Sequence, residues 1–99
     1  RKDNPFDNLE NLKILKLENN RISAIFDDVF EKLHKLEELN LNHNFLNKLN
    51  KRIVFEKLNK LKYLHLNSNF INEIEDRIFE NLNNLKILDL NSNLIEEIN

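Results

Sequence analysis

The chain of 99 residues contains no glycine, cysteine, methionine, tryptophan, threonine or glutamine, and only one proline. Each absence narrows the chemistry. Without cysteine there is neither a disulfide framework nor a thiolate metal site, while the redox compartment stays open. Without glycine there is no phosphate-cradling loop of the kind nucleotide binders build. An excess of basic charge is missing too. The 15 Lys and Arg stand against 17 Asp and Glu, a formal net charge of -2, so no nucleic-acid partner is expected. No apolar run approaches the ~20 residues of a membrane-spanning helix, so no direct membrane insertion is expected in this segment. What remains is lopsided: 19 Leu, 20 Asn and a hydrophobic fraction of 40%, enough for one domain with a core.

Self-similarity organises these residues. Written as rows 2–25, 26–49, 50–74 and 75–98, of 24, 24, 25 and 24 residues, the chain shows six invariant columns. Phe6, Phe30, Phe55 and Phe79 open them, followed at steps of three by Leu9, Leu33, Leu58 and Leu82, then Leu12, Leu36, Leu61 and Leu85. Leu15, Leu39, Leu64 and Leu88 come next, and two residues on stand Leu17, Leu41, Leu66 and Leu90. Asn20, Asn44, Asn69 and Asn93 complete the set. Each row closes on two aliphatics three apart: Ile22 and Ile25, Leu46 and Leu49, Ile71 and Ile74, Ile95 and Ile98. Steps of three suit a short helix, a 3₁₀ stretch or a coiled turn with one inward side. The period-two pattern Leu39-Asn40-Leu41 predicts a short strand with leucine inside. An asparagine amide both donates and accepts, so the Asn column is expected to form a structural ladder satisfying turn backbone in neighbouring rows. One row cannot cover its own apolar face, so the rows must stack into a solenoid with a parallel sheet on one side. Strands pack at ~4.8 Å per row, closer than the bulkier opposite side, which places the sheet on the concave face. The extra residue of the third row falls within residues 50–54, on the convex side, where it disturbs no strand pairing.

These rows resemble leucine-rich repeats, in the pattern LxxLxLxxNxL shown by Leu36, Leu39, Leu41, Asn44 and Leu46 and matched in every row. The resemblance covers essentially the whole chain and implies an α/β repeat solenoid. This is a right-handed coil with a short parallel sheet on the concave face and loop, 3₁₀ or short-helix convex segments. Residues 1–99 are expected to form a single domain. The 24-residue period with a convex Phe is similar to the subclass found in Toll-like receptor and small proteoglycan ectodomains. The resemblance also implies non-catalytic recognition of a protein ligand, with no cofactor. Extracellular members carry cysteine-rich caps and this chain has none, so an interior fragment of a longer protein is expected.

The outward columns are the candidate ligand surface: Ile14, Glu38, Tyr63 and Ile87; Lys16, Asn40, His65 and Asp89; then Asn42, Asn67 and Asn91 behind Glu18. Tyr63 and Ile87 read as adjacent apolar anchors with a polar rim. His65 and Asp89 share a column on neighbouring strands and are expected to touch. With Ser68 and Ser92 nearby they suggest nucleophilic catalysis, but an open sheet offers no oxyanion hole, so an exposed ion pair is the preferred reading and no enzyme activity is expected. Three scattered His without Cys give no metal-ligand spacing, so no metal site is expected.

Phe45, Phe70 and Leu94 follow the ladder asparagines and form a second candidate surface, a lateral interface serving a dimer or the edge of a ligand footprint. The preferred reading is that their side chains fold back and complete the core. Ice or glycan binding by Asn42, Asn67 and Asn91 is weakened by the absence of Thr and by charged neighbouring columns. The Asn surplus instead resembles the bias of an A+T-rich genome. The expected function is therefore a protein-binding module of a cell-surface or secreted receptor-type ectodomain. An intracellular scaffold, adaptor or pathogen-derived interaction protein, cytoplasmic in location, is the alternative.

Overall fold

The structure, a computed structural model, describes residues 4–95; the Ile98 end of the last aliphatic pair lies outside the described residues. Each Leu-x-Leu segment overlaps a three-residue strand: β1 (Ile14–Lys16), β2 (Glu38–Asn40), β4 (Tyr63–His65) and β6 (Ile87–Asp89). Between them lie two-residue strands β3 (Lys48–Leu49) and β5 (Glu73–Ile74). The longer strands form one parallel sheet in the order β1-β2-β4-β6. Its register places Ile14, Glu38, Tyr63 and Ile87 side by side. The main-chain ladder continues past the strands, with the N–H of His43 on the Asn67 carbonyl at 2.9 Å and of Ser68 on the Asn91 carbonyl at 3.0 Å.

The steps of three have a direct cause on the opposite side. The N–H of Leu33 bonds the carbonyl of Phe30, and the N–H of Leu36 bonds that of Leu33, at 3.1 and 3.2 Å. The same pair of turns recurs at Phe6-Leu9-Leu12, Phe55-Leu58-Leu61 and Phe79-Leu82-Leu85. Successive i→i+3 bonds eclipse side chains three apart, so Phe, Leu and Leu all face inward. The segment 50–54 that holds the extra residue of the third row overlaps a 3₁₀ helix, Arg52–Phe55, and the main-sheet register is undisturbed. Phenylalanines stack in two pairs, Phe6 on Phe30 and Phe55 on Phe79, with centroids 6.2 and 6.0 Å apart.

The core is densest in the middle rows, where Leu33, Leu36, Leu39, Leu41, Leu58, Leu61, Leu64 and Leu66 are fully buried. Asn44 and Asn69 are buried with them. Asn44 Nδ2 donates to the Leu17 and Leu41 carbonyls at 2.9 and 3.0 Å. Its Oδ1 accepts from the Asn20 and Ile22 amides, both at 2.9 Å. Asn69 and Asn93 repeat this one and two rows on, accepting from Leu46 and Ile71 at 3.1 and 3.0 Å. They donate back to Leu41 and Leu66 at 3.0 and 2.8 Å. Asn20 makes only an exposed local bond of this type, to the Glu18 carbonyl. The residue before each ladder Asn is left-handed: Asn19, His43, Ser68 and Ser92 have φ of 62, 58, 60 and 57°. A turn at a positive φ favours glycine, and this chain meets it with other residues in every row.

The pairing of β3 with β5 was not anticipated from the closing aliphatics. Leu49 and Ile74 are buried in it while Lys48 and Glu73 face out. The alternation is two residues long, too short to separate from a coiled turn by pattern alone.

Candidate functional site

The concave face is built by strand alternation: Leu39 and Leu64 point in, and their neighbours point out. In the first outward column Ile14 and Ile87 are exposed and Glu38 and Tyr63 half-buried. Tyr63 and Ile87 are direct register partners, so the apolar pair sits between the half-buried Glu38 and the strand edge. The second column runs from exposed Lys16 through half-buried Asn40, His65 and Asp89, and the third from half-buried Asn42 and Asn67 to exposed Asn91.

The polar columns bond mainly to one another. Asn42 Oδ1 accepts from the Asn67 N–H at 2.6 Å, and Asn67 Nδ2 donates to Asp89 Oδ2 at 3.2 Å. Asp89 Oδ1 accepts from the Asn91 N–H at 3.0 Å, and Asn40 Oδ1 accepts from the Asn42 N–H at 2.9 Å. The Ser68 hydroxyl donates to Asn67 Oδ1. These bonds hold the side chains in place.

The expected His65–Asp89 contact is not made. His65 Nε2 lies 3.1 Å from Glu38 Oε2 instead. The short Asp89 side chain bends back over its own turn, whereas the longer Glu38 reaches diagonally across to the imidazole. Ser68, His65 and Asp89 are therefore not assembled into a relay. Among the described residues no cluster of three or more His, Cys, Asp or Glu is placed to hold a metal ion. No helix among them is long and apolar enough to cross a membrane.

The lateral stripe also departs from expectation. Phe45, Phe70 and Leu94 do not fold into the core; they are 47%, 51% and 58% exposed. Their neighbours Leu46 and Ile71 already fill the inward slots, and Ile95 also packs against the core, so alternation turns the stripe outward. The rings of Phe45 and Phe70 contact each other, with centroids 5.9 Å apart and planes tilted by 53°. The structure thus brings Phe45 and Phe70 into one apolar edge beside the ladder, with Leu94 in the next row.

Residues 10–71 and 59–99 match the leucine rich repeat family. Among solved structures, a leucine-rich-repeat protein of Leptospira interrogans superposes with a TM-score of 0.73 at 30% identity, covering 89% of this chain and 25% of its own. The leucine-rich-repeat ectodomain of the receptor kinase SOBIR1 from Arabidopsis thaliana does so with a TM-score of 0.65 at 26% identity, covering 85% of this chain and 44% of its own. The chain thus spans less than half the length of either neighbour.

Proposed function

The chain belongs to the leucine-rich-repeat family, and we propose that it acts, as one repeat domain of the 24-residue subclass, as a non-catalytic module that binds a protein on its concave face. The observation that carries this reading is the Tyr63–Ile87 pair, held in register and backed by side chains already bonded to one another. A ligand meeting such a face orders little of the scaffold, which lowers the entropic cost of binding. An aromatic and an aliphatic anchor with a polar surround form the pattern of a binding hot spot. The lateral edge of Phe45, Phe70 and Leu94 serves as a second contact, for a dimer or the flank of a ligand.

A cell-surface or secreted receptor setting draws support from the plant ectodomain, and the alternative of an adaptor or scaffold from the bacterial neighbour. Capture from extracellular and cytosolic fractions tests both parts. Wild type should retain a partner that Tyr63→Ala/Ile87→Ala loses, with unchanged unfolding, and the fraction supplying it assigns the setting. Equal capture by both proteins would refute the concave anchor.

A further inference from the structure

Rows two and three zip together along β3 and β5, but rows one and two do not. The main chains of the first two rows stay in contact as far as the Phe45 N–H on the Ile22 carbonyl, at 2.8 Å. Beyond that point no hydrogen bond joins Ser23, Ala24 or Ile25 to β3. A cavity of about 680 Å³ opens there, between residues 23–28 and 47–51. Its floor is apolar, formed by Val54, Phe55 and Ile78, and Phe26 stands exposed at its mouth.

β3 presents a free edge to this groove. Its bonds to β5 run through Asn47 and Leu49, which accept from Asn72 and Glu75 at 2.9 and 2.8 Å. Strand alternation turns the N–H and C=O of the intervening Lys48 the other way, toward row one. An open edge above an apolar floor is a template for another extended main chain. The walls carry opposite charge: Asp27 on one side, Lys48 and Lys51 on the other.

We propose that this groove binds an extended peptide segment of a partner protein by strand addition to β3. Apolar side chains of the segment enter the floor at every second position. The intervening outward residues are acidic where they reach Lys48 and Lys51, and basic where they reach Asp27. This surface lies away from the concave anchors, so it is a site additional to the proposed concave one.

The test uses the full chain and a fluorescent peptide Ser-Glu-Val-Lys-Val-Glu-Ser, followed by anisotropy. Saturable binding is expected, weakened about tenfold by N-methylation of alternate residues in the register that faces β3, a loss of one strong contact's worth of affinity. Lys48→Glu/Lys51→Glu should weaken the peptide similarly and favour Ser-Lys-Val-Lys-Val-Lys-Ser, a rescue that misfolding cannot mimic. Tyr63→Ala/Ile87→Ala should bind the first peptide as wild type does, which separates this site from the concave one. Absence of saturation at millimolar peptide, or equal binding of the methylated forms, would overturn the proposal. So would loss of binding in the concave variant. A Lys48 amide already protected from hydrogen exchange in the free chain would overturn it as well, because residues 23–25 would then close the edge themselves.

Discussion

Asn44→Ala should be among the most damaging polar substitutions in the chain, and its cost can be worked from the bonds it removes. Asn44 is 1% exposed. Its loss leaves the Asn20 and Ile22 amides without their acceptor and takes one donor each from the Leu17 and Leu41 carbonyls, of which Leu41 keeps Asn69 Nδ2. Orphaned buried donors cost about 1–3 kcal/mol each; with Asn20 exposed and Ile22 half-buried, water recovers part of that, and the lost amide donations add somewhat less. The sum is about 3–4 kcal/mol, a large share of the ~5–15 kcal/mol that holds a domain together. Asn20→Ala is the internal control. It stands at the same place in its row, so backbone preferences of Asn and Ala cancel, yet it loses only an exposed bond to the Glu18 carbonyl. Its cost should be below about 1 kcal/mol. Urea unfolding followed by circular dichroism at a common m-value reads both, with the Asn44 midpoint falling by about 2–3 M more than the Asn20 midpoint for an m near 1 kcal/mol/M. If the two variants lost stability within about 0.5 kcal/mol of each other, the ladder would not be the clamp between rows.

Three further outcomes follow from burial and backbone geometry. Leu64→Ala, at 0% exposure in the central strand, should cost about 2–5 kcal/mol. Leu88→Ala in the same column, at 37% exposure, should cost about half as much; equal losses in chemical denaturation would contradict the burial gradient. Phe45→Ser/Phe70→Ser should reduce stability by only about 1–2 kcal/mol, chiefly the ring contact, while abolishing any concentration-dependent association seen by sedimentation velocity. A collapse in melting temperature would return those rings to the core. His43→Gly should raise stability by about 0.5–1 kcal/mol, because glycine takes φ of 58° without a Cβ clash; a lower thermal midpoint would refute the strain.

The solenoid was legible because its columns answer to geometry that repeats. Leucine at steps of three and then two reports 3₁₀ turns passing into a strand, and both were found where the spacing put them. The Asn column was legible for a similar reason: only an amide can accept from one row and donate to the carbonyls of two. Features set by side-chain length or by a neighbouring main chain were not. Column adjacency put His65 beside Asp89, but that carboxylate is taken by Asn67 and by the Asn91 amide, and Glu38 is long enough to arrive instead. The β3–β5 pair depends on how closely two rows approach, which no residue type announces. The Phe45–Phe70 edge was seen in the sequence, but its direction was misjudged: a large apolar ring suggests burial until one sees that Leu46 and Ile71 already fill the inward slots.

The division between these two kinds of residue bears on function. Leucine and asparagine columns are occupied identically in every row and carry the packing, so a change there registers first as lost stability. The outward columns hold isoleucine, glutamate, tyrosine, lysine, histidine and aspartate at equivalent places, and the sheet keeps one register beneath them. Side chains that the scaffold does not constrain are those in which recognition is able to vary without unfolding the protein. Tyr63 and Ile87 satisfy that condition on the concave face, Phe45 and Phe70 on the lateral edge, and Lys48 and Lys51 on the groove between the first two rows. Three surfaces with different chemistry therefore rest on one repeated core, and each is alterable while the other two stay intact.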